Sequence, residues 1–292
     1  MFRGSQAVAC GALSSGQLRG PQTRQLCRDV YTCASRPLTH QLRCRAYAMA
    51  LPSSAVITGR SAATVRGVRL AWPEDPIQVV VPPDTRLGHR RGLEVRRTVL
   101  TPADWRSWAG GRLATPMRLT LDLLLGRPLP DAVADLDAVL RARLVRRDAV
   151  AAMVAARSDK GIVGARRAVE LADPLAESLP ESKVRVVLRQ AGLEPVTQYW
   201  IVDRHGNRVV RVDLAFPEHR LAVEYDGDWR DGEAWALNRD RARLNQVRDL
   251  GWDVVFVTAP MLRDHHGVVR TVRAALLRAA HRSGRCSEPS CC

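Results

Sequence analysis

The chain has 292 residues, 46% hydrophobic and 26% charged, which is long enough for two packed domains and too apolar for an intrinsically disordered protein. Its 45 basic residues against 30 acidic ones give a formal charge of +15, and all but two of them, Lys160 and Lys183, are arginine. Clustered guanidiniums displace counterions from a phosphate backbone, so a polyanionic partner is expected. The richness in Arg, Ala, Val and Leu also fits a GC-rich coding bias, which leaves a merely solvated basic surface as the alternative. The cysteines exclude a zinc framework: Cys10, Cys27, Cys33 and Cys44 form no close C-x-x-C pair, and Cys286, Cys291 and Cys292 lie in a polar tail. No apolar run reaches the roughly 18 residues of a spanning helix, and residues 1–20 lack the apolar core of a secretion signal. A cytoplasmic protein with reduced thiols, no membrane association and no small-molecule cofactor is therefore expected.

Residues 1–49 read as short helices and a hairpin. Val8-Ala9-Cys10 and Gln17-Leu18-Arg19 are helical, the second halted by Gly20-Pro21, and Asp29-Val30-Tyr31-Thr32 follows as a strand. Seven arginines face a single acid, Asp29, in this stretch. A small helix-turn-helix with a wing fits both features and would place Arg19, Arg24 and Arg28 near phosphates; a basic helical subdomain packed on the rest of the chain fits them equally. Residues 50–172 begin with helical Ser61-Ala62-Ala63 and continue into the apolar strand Ile77–Val81, stopped by Pro82-Pro83. Alternation over Leu93–Val99, after the turn signal Gly88–Gly92, predicts a β-hairpin with that strand. Thr115-Pro116 opens a helix with Leu119 and Leu123 inward, and further helices occupy Asp131–Ala172. Asp122 on the first of these helices reads as a solvent-facing or capping acid.

The chemistry lies in residues 173–282. A helix over Pro180–Gly192 carries Val184, Val187, Leu188 and Ala191 on one face, and Glu181 falls on that same side. Alternatively, Glu181 simply suits the first helical turn, where its charge meets the helix dipole and a backbone N–H. A first strand at Gln198–Val202 precedes two more, Val209–Phe216 and Leu221–Asp226. If these two fold about Glu218 and His219, Asp213 stands opposite Glu224, on the same face of the sheet. Two carboxylates so placed repel unless a cation lies between them, and Mg²⁺ or Mn²⁺ suits hard oxygen donors. Asp226 falls on that face by alternation, or alternatively starts the turn at Gly227. A helix at Trp235–Leu250, a buried strand at Trp252–Thr258 and a closing amphipathic helix at His266–Ala280 complete an α-β-β-β-α-β-α order, and residues 283–292 read as a disordered tail. The fold class is thus α+β, a small winged-helix-like segment and an α/β middle domain followed by a mixed sheet flanked by helices.

Four pieces in order resemble the restriction-endonuclease-like, PD-(D/E)XK superfamily, and most closely its very-short-patch-repair-like (Vsr-like) branch. They are Leu179-Pro180-Glu181-Ser182, Arg211-Val212-Asp213-Leu214-Ala215, Ala222-Val223-Glu224-Tyr225-Asp226-Gly227, and Arg239–Asn245 before Gly251-Trp252. The preceding segments, through Asp29-Val30-Tyr31-Thr32 and Thr115-Pro116, resemble AbiEi-type antitoxin and regulator proteins, an arrangement found fused to such nuclease domains in actinobacterial proteins. The resemblance implies a Mg²⁺-dependent endonuclease acting on double-stranded DNA. Asp213 and Glu224 would bind the metal, Glu181 and Asp226 would complete the catalytic acids, and Asp240, Arg243 and Arg230 would shape the site. Two departures stand out: Asp226 replaces the superfamily lysine, and Trp229-Arg230 stands where a histidine is common. A DNA-binding regulator whose nuclease fold has lost turnover is the alternative these departures favour, and a structural or partner-binding protein is a third.

Overall fold

The structure, a computed structural model, describes residues 1–88, 90–227 and 245–285. It is an α+β protein whose chain forms two compact units, Met1–Leu125 with Ala142–Ile162, and Gly126–Arg141 with Val163–Cys292.

The first unit opens with strand β1 (Phe2–Arg3), helices α1 (Gly4–Ala9) and α2 (Ser15–Leu18), and strands β2 (Thr23–Cys27) and β3 (Val30–Cys33). The three strands form an antiparallel sheet in the order β1-β3-β2. Helix α2 exists because Ser14 and Gln17 satisfy each other's end groups: Ser14 Oγ accepts from Gln17 N at 3.1 Å and Gln17 Oε1 accepts from Ser14 N at 2.7 Å. Asp29 turns the β2–β3 hairpin at φ +60°, and its carboxylate accepts from the amide and hydroxyl of Ser5, both at 2.7 Å.

A second sheet in this unit has the order β6-β5-β4-β8-β7, built from β4 (Val56–Ile57), β5 (Ile77–Val81), β6 (Leu93–Arg97), β7 (Trp105–Trp108) and β8 (Gly111–Ala114). The hairpin predicted between β5 and β6 does not form. They pair in parallel, Ile77 with Leu93 through Val81 with Arg97, because the connection through 82–92 is long enough to carry the chain back to the start of β5. Helix α3 (His40–Ala50) passes so close to β8 that a Cβ on Gly111 would sit 2.6 Å from the Ala48 carbonyl oxygen, so only glycine fits there. Helix α5 (Pro116–Leu124) starts at Thr115-Pro116 as expected and buries Leu119, Leu121, Leu123 and Leu124. Asp122 neither faces solvent nor caps the helix. Its carboxylate is buried, accepts from Arg118 at 2.9 and 3.0 Å and from Thr58 Oγ1, and forms an ion pair with Arg96, because charge taken from water must be paired.

The second unit is built on a mixed sheet in the order β12-β11-β10-β9, from β9 (Val196–Val202), β10 (Arg208–Phe216), β11 (Leu221–Asp226) and β12 (Asp253–Thr258). Only the β11–β12 pair is parallel. One side of the sheet packs Leu214, Phe216, Leu221, Val223, Val255 and Val257 against Val184, Val187 and Leu188 of α9 (Leu179–Gln190) and Val268, Val272 and Ala275 of the closing helix His265–Arg285. The spacing of that last set, three and four residues apart, is the sequence signature of its amphipathic stripe. Ala215, Ala222 and Val254 pack on the other cluster, with Val247 and Trp252.

Helix α6 (Leu129–Arg141) belongs to this second unit and is buried along Pro130–Leu140, Asp131 excepted. It is tied to α9 by a fully buried ion pair. Arg185 Nη2 stands 2.6 Å from Asp137 Oδ2, Arg185 Nη1 donates to the Leu171 carbonyl at 2.6 Å, and Asp137 Oδ1 accepts from Asp173 N at 2.7 Å.

Candidate active site

Strands β10 and β11 set the geometry. Their turn is a short 3₁₀ stretch, Pro217–His219, closed by Arg220 at φ +46°, and their ladder pairs Phe216 with Leu221, Ala215 with Ala222 and Leu214 with Val223. The next position in that register sets Asp213 against Glu224. Val223 and Tyr225 pack with α9 and the closing helix, whereas Ala222 packs with Val247 and Trp252. Alternation therefore carries Glu224 to the Ala222 side, whereas Asp213 stands between Val212 and Leu214, which pack on opposite sides of the sheet. Glu224 is only 8% exposed. The Asp213 carboxylate accepts from Tyr225 N through Oδ2 at 3.1 Å, so a backbone donor of the facing strand helps hold it in place.

The third acid is built differently. Ser178 caps α9, accepting from Glu181 N at 3.3 Å, and Glu181 Oε2 accepts from Glu177 N and from Gln198 Nε2, each at 2.9 Å. The buried Glu181 carboxylate thus serves the helix start, as its first-turn position allows, and reaches the sheet through Gln198. Gln198 lies across from Asp213, between the Thr197–Leu214 and Tyr199–Val212 pairs. It has φ +52° inside a strand, and side-chain alternation changes phase there: Leu214 packs on one side of the sheet and Val212 on the other. Sequence reasoning named Gln198 only as the start of a strand. Nothing in Thr197-Gln198-Tyr199 signals a left-handed residue, and no glycine marks the kink.

Asp226 ends β11, half-buried, with Thr258 as its neighbour on β12. Arg230, Asp240 and Arg243 lie outside the described residues, as do Trp229, most of the helix expected over 235–250, and the tail beyond 285. Arg19, Arg24 and Arg28 are all exposed in the first unit, after α2, on β2 and at the hairpin turn respectively; Arg24 Nη1 is 3.5 Å from the Arg36 carbonyl oxygen.

Among the described residues no group of three or more His, Cys, Asp or Glu is gathered as a metal cluster. Asp213 and Glu224, each one position beyond the Leu214–Val223 pair of the ladder, are two carboxylates with hard oxygens. That donor set fits Mg²⁺ or Mn²⁺, which commonly takes one or two carboxylates and fills its remaining positions with water and phosphate oxygens. Among the described residues no helix is long and apolar enough to cross a membrane.

Two proteins of Mycobacterium tuberculosis, Uncharacterized protein Rv2248 of strain H37Rv and Uncharacterized protein MT2308 of strain CDC 1551, are each 36% identical to this chain over 177 residues. The match covers 60% of this chain and 65% of either relative, so it spans slightly less than two thirds of their length. No protein-family model matches the chain, and no solved structure does.

Proposed function

We propose that the protein is a metal-dependent endonuclease that hydrolyses phosphodiester bonds of DNA at the Asp213/Glu224 pair. The observation that supports this reading is the β10–β11 register, whose ladder runs to the Leu214–Val223 pair next to Asp213 and Glu224, with Asp213 Oδ2 accepting from Tyr225 N across the two strands. Asp213 and Glu224 would hold Mg²⁺ or Mn²⁺, which when bound supplies a water of lowered pKa and neutralises charge at the phosphate. The Tyr225 amide fixes one oxygen of Asp213, so the carboxylate is oriented before substrate arrives. Gln198 holds Glu181 at the edge of the site. Asp226 stands where the resembling superfamily has lysine, and a carboxylate there can accept a proton from the attacking water. The exposed Arg19, Arg24 and Arg28 would hold the duplex by its backbone.

Supercoiled plasmid incubated with purified protein and Mg²⁺ tests the reading. Nicking is expected to fall at least about a hundredfold in Asp213→Asn and in Glu224→Gln, with unfolding temperatures close to wild type. Nicking that persists unchanged in both variants removes the proposal.

A second reading is favoured by two observations: the Glu181 carboxylate is engaged in capping and in the Gln198 bond, and Asp226 stands where the resembling superfamily has lysine. The protein would then be a DNA-binding regulator without turnover. Tight binding of one sequence, abolished by Arg19→Ala, Arg24→Ala and Arg28→Ala together, with no nicking under any divalent metal, would establish it.

A further inference from the structure

Strand β9 is the outermost strand of the second unit's sheet, and its solvent side is unusually apolar. Trp200 and Val202 both project to water, Trp200 with 38% of its surface exposed, and Val209 of β10 adds a third exposed apolar side chain. Such a patch on a strand edge calls for a partner. The charges around it are cationic. Arg211 is the ladder partner of Trp200 and Arg208 that of Val202, and their guanidinium carbons lie 5.9 and 5.6 Å from the indole centroid. The nearby acids are already occupied: Glu177 stands 2.7 Å from Arg211, and Asp203 accepts from the amides of His205 and Asn207.

We propose that this face, with Trp200 at its centre, is a stacking platform for an unpaired DNA strand. A base laid on the indole replaces water against an apolar ring, and Arg208 is placed to meet a neighbouring phosphate, while Arg211 would exchange its exposed ion pair with Glu177 for another. In a duplex the base faces are covered by their neighbours, so only an unpaired or splayed nucleotide presents the surface that Trp200 needs. A second copy of the chain fits less well, because it would bring rows of arginine against one another. The Trp200–Arg211 pair lies two residues along the ladder from Gln198 and Asp213, about 7 Å at ~3.4 Å per residue. Val210, Val212, Tyr199 and Ile201 all pack on the Ala222 side of the sheet, so Trp200 and Arg211 project from the side opposite Glu224; the platform rests on the reading of the protein as acting on DNA, and it specifies a substrate strand that is unpaired where it crosses that side.

The test uses the full chain in EDTA, so that binding is read without cleavage, with fluorescein-labelled oligothymidylate of about 15 nucleotides and a duplex of the same length. In anisotropy titrations Trp200→Ala is expected to weaken oligothymidylate binding about tenfold or more, Trp200→Phe to restore it to within about threefold, and duplex binding to change less than about twofold. Removing Arg208 or Arg211 should lower the salt slope by about one phosphate contact each. Unchanged oligothymidylate binding in Trp200→Ala overturns the proposal, as does an equal loss for both DNAs. So would tighter binding of oligouridylate than of oligothymidylate, or a dimer in sedimentation that Trp200→Ala dissolves. The two claims separate cleanly. Nicking lost in Asp213→Asn with normal binding by Trp200→Ala keeps the active site and rejects the platform. Trp200-dependent binding without nicking does the reverse.

Discussion

Gln198 sits in a left-handed conformation that costs an L-residue about 1–2 kcal/mol, and it does so in a strand facing the candidate catalytic Asp213. Glycine pays no such penalty, so the usual preference for alanine over glycine in a strand should invert here. Gln198→Gly is expected to be more stable than Gln198→Ala by about 1 kcal/mol in urea unfolding, while both lose the bond to Glu181. Alanine proving the better residue would mean that the backbone is not strained at this point. A second residue with a measurable signature is His40. Its Nδ1 is 2.8 Å from the Trp72 carbonyl, which can only accept, so the neutral ring carries its proton there, and Nε2 accepts from Ser61 Oγ at 2.8 Å. Burial holds the imidazole below its ordinary pKa. A depressed folded-state value means the stabilisation is present above the ordinary value near 6.5 and is lost as pH falls through the folded one. Urea midpoints should therefore drop as pH falls below about 6.5 in the wild type and stay flatter in His40→Gln. An identical slope in both would assign the pH dependence elsewhere.

At the scale of elements, much of the candidate site was legible before any coordinates. The β10–β11 register followed from a tight turn between two alternating runs, because a hairpin whose turn is short has little choice of pairing. Helices α5, α9 and the closing helix announced themselves by Thr115-Pro116, by Pro180 and by their apolar stripes. The β5–β6 pair did not, since a strand's alternation shows which side is buried and says nothing about direction. Nor did periodicity reveal Arg185 as a fully buried charge, because its partner Asp137 is far away along the chain. The α6–α9 connection predicts its own energetics. Asp137→Ala leaves a buried guanidinium without its anion and should cost about 3–5 kcal/mol, whereas Asp137→Leu with Arg185→Met should recover most of that loss. Chemical denaturation of the two variants decides it: a double variant as unstable as the single one would show that the pair's worth lies in its bonds to each other, to the Leu171 carbonyl and to the Asp173 amide, which apolar packing does not replace.

Across the whole molecule, length and composition announced a folded chain large enough for two packed domains, the order of elements announced an α+β class, and an α+β chain of two compact units is present. Their membership was harder to read. An apolar helix has the same local pattern whichever core receives it, so nothing in Leu129–Arg141 indicates that it packs with α9. A fragment of residues 163–285 should consequently fail to unfold cooperatively, lacking α6 and Asp137, while a fragment of 126–285 should show a sigmoidal transition in circular dichroism. Cooperative melting of the shorter piece would make α6 dispensable. The same arrangement bears on how the protein is made. As the chain leaves the ribosome, α6 emerges well before α9 and all four strands of its sheet, and its oily surface has to wait without its final neighbours. Slowed elongation between the two segments, or depletion of holdase chaperones, should for that reason raise the aggregated fraction of newly made chains.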